Sequence, residues 1–177
     1  MIKNALLVVA LLTTAVGAQA QTATSSLEQR LQRLEDEAAI TRIINAYAEL
    51  LTARDFDGYA ALFAREGVWE NRGTVKKGAA EIKAMLVDMF GQPQPGFVNT
   101  RNYMLVSNIL VNVDGDRATA TSRQTSISRG EDGSPVVVLG GRYEDEFVRE
   151  NGQWKIQHRI DYSVIPTGDE WAQRMGR

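Results

Sequence analysis

The chain has 177 residues, of which 44% are hydrophobic, with one histidine, no cysteine and a net charge of −2. That size and apolar fraction suit one domain with an ordinary core. The missing cysteines exclude a disulfide, a thiolate nucleophile and a zinc-ribbon site, and the charge gives no reason to expect nucleic-acid binding.

The N-terminus has the form of an export signal. Lys3 gives a positive start, Ala5 to Val16 is apolar, and Ala18-Gln19-Ala20 has small residues where a signal peptidase cuts. Residues 1–20 are therefore expected to be a signal peptide cleaved after Ala20, leaving a periplasmic or secreted protein. Stable membrane insertion after processing is not expected, because a spanning helix needs about 20 apolar residues and this run is shorter. Residues 21–34 then form a leader and the start of the first helix.

Ser26 with Gln29 fits a capping box, and Leu27, Leu31 and Leu34 repeat at helical spacing. Ile40, Ile43, Ile44, Tyr47 and Leu51 make a second helical face, roughly 140° around from the first at 100° per residue. Both stripes cannot face one core on a straight helix. Either the helix bends near Ala38-Ala39, or its first turns pack elsewhere, for instance on a partner subunit. The helix is expected to stop at Arg54-Asp55, where Asp55 can cap a second helix over Phe56 to Ala64. Val68 and Trp69 suggest a short strand, and Gly78 precedes a third helix with Ile82, Met85, Leu86, Met89 and Phe90 on one side.

The remainder reads as strand. Arg101 to Val113 alternates Tyr103, Leu105, Ile109, Val111 and Val113 with Asn102, Met104, Val106, Asn108 and Leu110, and the mixed second set suits a pocket lining. Asp114-Gly115 turns the chain into Arg117 to Arg129, and Gly130 to Pro135 into Val136 to Val138. Gly140-Gly141 suggests a bend or bulge in the sheet. Asn151-Gly152 is the strongest hairpin signal in the chain, since both residues tolerate positive φ. Strict alternation in the last strand places Trp154, Ile156, His158 and Ile160 opposite Lys155, Gln157, Arg159 and Asp161, so His158 and Arg159 share a face only if a bulge shifts the register. The tail 166–177 looks loosely attached, with Trp171 able to dock. Helices followed by a four-strand antiparallel meander give an α+β class with helices on one side of a curved sheet.

Three segments, AAITRIINAYAELLTARDFDGYAALFAREGVWE, RNYMLVSNILVNVDGDRATATSR and GGRYEDEFVRENGQWKIQHRI, in this order and spacing, resemble the SnoaL-like branch of the nuclear transport factor 2-like superfamily. The resemblance implies a SnoaL-like domain over residues 35–165, built as a cone-shaped antiparallel sheet around N-terminal helices with an apolar pocket inside, a cystatin-like α+β roll. It also implies a small hydrophobic molecule as ligand and a homodimer formed through the sheet. Members include dehydratases, isomerases, polyketide cyclases, a dehydrochlorinase and proteins without known chemistry.

Three residues match family positions that carry chemistry. Asp55 falls at a catalytic aspartate, and a carboxylate near an apolar pocket can serve as a general base at a C–H bond; capping a helix is its equally concrete alternative. Tyr47 falls at an oxyanion-donating tyrosine, with a core role as alternative. Arg159 falls at an anion-stabilising arginine, with a solvent-facing role as alternative. The histidine that completes the dehydratase dyad is replaced by Met104, and the isomerase base by Asn71. His158 is the only imidazole available to replace the missing one. Asn102, Tyr103, Met104, Asn108, Trp69 and Asn71 are the expected ligand contacts. No cofactor or metal is expected, because one histidine and scattered carboxylates make no ligand cluster. The expected functions are a cofactor-independent lyase or isomerase, a non-catalytic small-molecule binder, or an interaction module of the same fold.

Overall fold

A computed structural model describes residues 5–167, 169, 170 and 173, with side chains from Ser26 onward. Lys3, the side chains of the cleavage site and Trp171, on which the signal and tail readings rest, lie outside the described residues. The chain divides into two units, Met1–Asp36 and Glu37–Arg177.

Helix α1 (Ala5–Ala53) begins in the first unit. Ser26 therefore lies inside a helix and does not cap one, because the backbone before it is already helical. Leu27, Leu31 and Leu34 are exposed. Among the described residues no helix is long and apolar enough to cross a membrane.

The second unit holds the rest of α1, where Ile40, Ile44 and Tyr47 are buried. The helix ends where Arg54 takes a positive φ of 56°. Asp55 then caps α2 (Phe56–Ala60), accepting a 2.8 Å hydrogen bond from the Gly58 N–H. Helix α2 is shorter than the expected Phe56 to Ala64, because Phe63 already belongs to β1 (Phe63–Asn71), which pairs with the last strand. Arg72 and Gly73, both with positive φ, turn β1 into β2 (Thr74–Lys77). Helix α3 (Gly78–Phe90) follows and buries Ile82, Met85 and Leu86, while Met89 and Phe90 stay exposed.

Four long strands complete the unit: β3 (Asn102–Asp114), β4 (Arg117–Arg129), β5 (Pro135–Glu150) and β6 (Gln153–Ile165). They form the expected antiparallel meander, and Asn151 and Gly152 take the positive φ angles of the expected turn. Two further strands extend it. β1 pairs parallel to β6 and β2 pairs with β1, giving one unclosed six-stranded sheet in the order β2-β1-β6-β5-β4-β3. The α+β class and the curved sheet with N-terminal helices are as expected. The apolar core lies between the helices and the inner face of this sheet, around Tyr47, Phe56, Tyr59, Trp69, Tyr143, Phe147, Trp154 and Ile156.

Of the five register shifts in the sheet among the described residues, three bear on the expected alternation. The β5–β6 register shifts at Gly140-Gly141, where a side chain on Gly141 would collide with the Tyr162 carbonyl. The β3–β4 register shifts between Ser107 and Leu110, where Asn108 takes a φ of 51°. The expected alternation on β3 fails at this point: Met104 and Val106, not Tyr103 and Leu105, share a face with Ile109, Val111 and Val113. The third shift lies on β6.

Candidate functional site

On β6, Ile156 pairs with Phe147 but His158 pairs with Glu146, so Gln157 is an extra residue with no partner on β5. One extra residue exchanges the faces of everything beyond it. Arg159 consequently joins Trp154 and Ile156 on the inner face, whereas His158 turns outward. The strict alternation expected for this strand therefore fails at Gln157. Cross-strand pairing then lines up two rows on the inner face. One is Ala120, Asp145, Arg159 and Trp69; the next is Ser122, Tyr143, Asp161 and, diagonally, Asn71.

Arg159 is fully buried. Its Nε and Nη2 donate to the two carboxylate oxygens of Asp145 at 2.6 and 2.7 Å, the fork geometry that holds a guanidinium in one orientation. Its flat faces lie between the rings of Tyr47 and Tyr143, at 3.9 and 4.2 Å from their centroids. Burial opposes the charge on Arg159, but the Asp145 carboxylate more than restores it, so the group stays cationic. Burial raises the pKa of Tyr47, Tyr59 and Tyr143, which therefore remain neutral phenols. Trp69 Nε1 donates to the Tyr47 hydroxyl at 3.1 Å and fixes that ring.

Asp161 is the inner-face group whose protonation is finely balanced. Desolvation pushes its pKa up to about 6, against the lowering effect of the Arg159 charge. Gln124 Nε2 lies 3.4 Å from Asp161 Oδ1, reaching diagonally past Gly141, which has no side chain to block it. Three buried polar atoms have no hydrogen-bond partner among the described residues: Arg159 Nη1, Gln124 Oε1 and Ser122 Oγ. Buried polar atoms are almost always paired, so an unpaired donor and acceptors on β6 and β4 are unusual for a packed core.

The expected site residues separate into two groups. Tyr47, Arg159, Trp69, Met104 and Asn71 come to the inner face. Met104 Sδ lies 3.7 Å from the Tyr143 hydroxyl, and Asn71 Nδ2 donates to the Asp161 carbonyl at 2.9 Å and to Ser163 Oγ at 3.1 Å. Asp55 is exposed and its carboxylate accepts from the α2 backbone, so it lacks the burial that a general-base role relies on. His158 is on the outer face with Nε2 3.2 Å from Glu70 Oε2, away from Arg159. Tyr103 is half exposed on the outer face. Asn102 is exposed and bonds Asn99, and Asn108 is exposed at its bulge.

Asp145, Asp161, Ser122 and Gln124 were not singled out by sequence. Asp145 and Asp161 stood among charges that look like a solvated face. Ser122 and Gln124 gave a usable signal, since they continue the alternation of Ala118 and Ala120 toward the core. Among the described residues no group of three or more His, Cys, Asp or Glu could hold a metal.

Residues 32–160 match the SnoaL-like domain family. No curated protein matches the chain. Among solved structures, the chain is similar to a nuclear transport factor 2-like protein with a cystatin-like fold from Novosphingobium aromaticivorans, with 23% identity over 82% of this chain and 93% of that one and a TM-score of 0.69. A variant of Rv3472 from Mycobacterium tuberculosis, of unknown function, gives 22% identity over 78% of this chain and 77% of that one, at a TM-score of 0.67. A protein from Novosphingobium aromaticivorans proposed to be a scytalone dehydratase gives 23% identity over 75% and 87%, at a TM-score of 0.60. At these identities the likeness is one of fold.

Proposed function

The chain belongs to the SnoaL-like domain family, and from that premise we propose that it is an exported, cofactor-independent lyase or isomerase acting on a small, largely apolar molecule at the inner face of the sheet. The observation that carries this reading is Asp161, a half-buried carboxyl whose pKa desolvation raises, on the same strand face as a fixed and fully buried cation. A carboxyl with a pKa near the working pH is suited both to take a proton and to return it.

In an elimination, the Asp161 carboxylate takes the proton from a carbon next to a carbonyl, and the C–H electron pair moves onto the carbonyl oxygen. Arg159 Nη1, the free donor of a guanidinium held by Asp145, stabilises that oxyanion. Collapse of the enolate expels hydroxide from the neighbouring carbon, which regains the proton from Asp161 and leaves as water. In an isomerisation the same proton is returned to a different carbon. Tyr47 and Tyr143 hold the guanidinium between their rings.

Asp161→Asn should lower turnover of small hydroxy-ketones by about 10²–10⁴-fold, the usual contribution of a positioned acid–base group, with Asp55→Asn leaving it unchanged. Full activity in Asp161→Asn overturns the assignment. The position of His158, outside the inner face and beside Glu70, favours the second reading, a small-molecule binder without chemistry. That reading predicts ligand binding without turnover by the unaltered protein. The outer sheet face, where Tyr103, Leu105, Leu110, Val137 and Ile165 are exposed, supports a homodimer formed through the sheet.

A further inference from the structure

The first turns of α1 with described side chains carry an apolar stripe that nothing among the described residues covers. Leu27, Leu31 and Leu34 are 61%, 57% and 63% exposed, and every residue between them is polar or charged. Their spacing of four and then three residues is the seam pattern of a coiled coil, in which such side chains insert between those of a second helix. A lone stripe of three leucines does not say what covers it. The charges beside it do.

With Leu27 and Leu34 at d positions and Leu31 at a, Arg30 falls at g and Glu35 at the following e. In a parallel, in-register pair of helices, g of one chain faces the next e of the other, so Arg30 meets Glu35 twice, once on each side of the seam. Among the described residues no ion pair engages either side chain. An antiparallel pair would instead bring Glu28 and Glu35 together along one flank, two carboxylates that repel. The acidic residues Glu28, Glu35 and Asp36 also leave the segment without the Lys- and Arg-rich polar face that an anionic membrane surface attracts.

We propose that residues 27–35 form a self-recognition segment, in which two copies of the chain pair their α1 helices in parallel and in register along Leu27, Leu31 and Leu34. This contact is separate from a dimer through the sheet and does not depend on the proposed chemistry.

The chain has no cysteine, so a single introduced thiol reports on its own neighbour. In the full-length protein, Leu34→Cys should form an inter-chain disulfide under mild oxidation, because a parallel seam brings the two copies of position 34 within the Cα separation of about 6 Å that a disulfide needs. Gln29→Cys, roughly 190° around the helix from the seam, should cross-link about tenfold more slowly or worse, since only the seam raises the local thiol concentration. Adding Arg30→Glu to Leu34→Cys should slow cross-linking, and Arg30→Glu with Glu35→Arg should restore it. Equal rates for Leu34→Cys and Gln29→Cys overturn the proposal, whatever the size of the particle in solution. Faster cross-linking between Leu27→Cys and Leu34→Cys chains in a mixture than within either alone overturns the parallel arrangement.

Discussion

Strand β6 carries two pairings of a basic side chain with a carboxylate, one on each face. On the inner face Arg159 holds Asp145 through two hydrogen bonds, with neither side chain exposed. On the outer face His158 meets Glu70 at 3.2 Å, with the two side chains 30% and 36% exposed. The residue types are much alike, and the positions are adjacent in sequence. What separates them is the unpaired residue at Gln157, which decides which base is withdrawn from water. Withdrawal changes the physics: charges in a low-dielectric interior interact strongly and are costly to leave alone, whereas exposed pairs are screened by solvent.

The contrast can be broken most sharply at Asp145. Asp145→Asn leaves the Arg159 charge buried without its counter-ion and should cost about 3–5 kcal/mol of stability, measured by urea unfolding. Asp161→Asn should act in the opposite direction. Its raised pKa means that the folded chain binds more protons than the unfolded chain between the ordinary value of 3.8 and about 6. Stability should therefore fall as pH rises through that window, by on the order of 3 kcal/mol in full. Asp161→Asn removes the slope, so the variant should be the more stable protein at pH 7, and the two unfolding curves should converge below about pH 4. Loss of turnover together with a gain in stability is the signature of a group retained for function.

Smaller effects are expected where the carboxylates face water. Asp55→Ala should cost about 1 kcal/mol, the loss of one helix cap, with no loss of turnover. His158→Gln should cost less than about 1 kcal/mol, the range of one part-exposed hydrogen bond. A large loss in this last variant would show that the outer pair is not screened as its exposure implies.

Local chemistry made much of the fold legible in the sequence. Asn151-Gly152 turns the chain because both residues accept positive φ, and Arg117 to Arg129 begins and ends as strand where turn residues bound it. Gly140-Gly141 marks a register shift, as a pair of glycines inside a strand suggests. Face assignment was harder, because parity along a strand is lost at each extra residue. At Asn108 there was a sign, since a residue tolerant of the left-handed region interrupts two apolar runs. At Gln157 there was none: Lys155, Gln157, Arg159 and Asp161 alternate as a solvated face would. Tyr47 and Arg159 could be named from their family positions, but Asp145 and Asp161 could not, because their importance comes from burial that only the assembled sheet provides. The parallel strand β1 was missed in part for a related reason. Its pairing with β6 joins segments ninety or more positions apart, as in Val68 with His158, and no local pattern announces such a contact.

The proposed chemistry needs an Asp161 carboxyl whose pKa its surroundings raise toward neutrality. Direct titration of its carboxyl carbon by NMR, assigned by comparison with Asp161→Asn, tests this in the unaltered protein without any knowledge of the substrate. A midpoint near 6 is the predicted result. A midpoint near the ordinary 3.8 would contradict the account, because a carboxyl that titrates as if in water has no special capacity to take and return a proton near neutral pH.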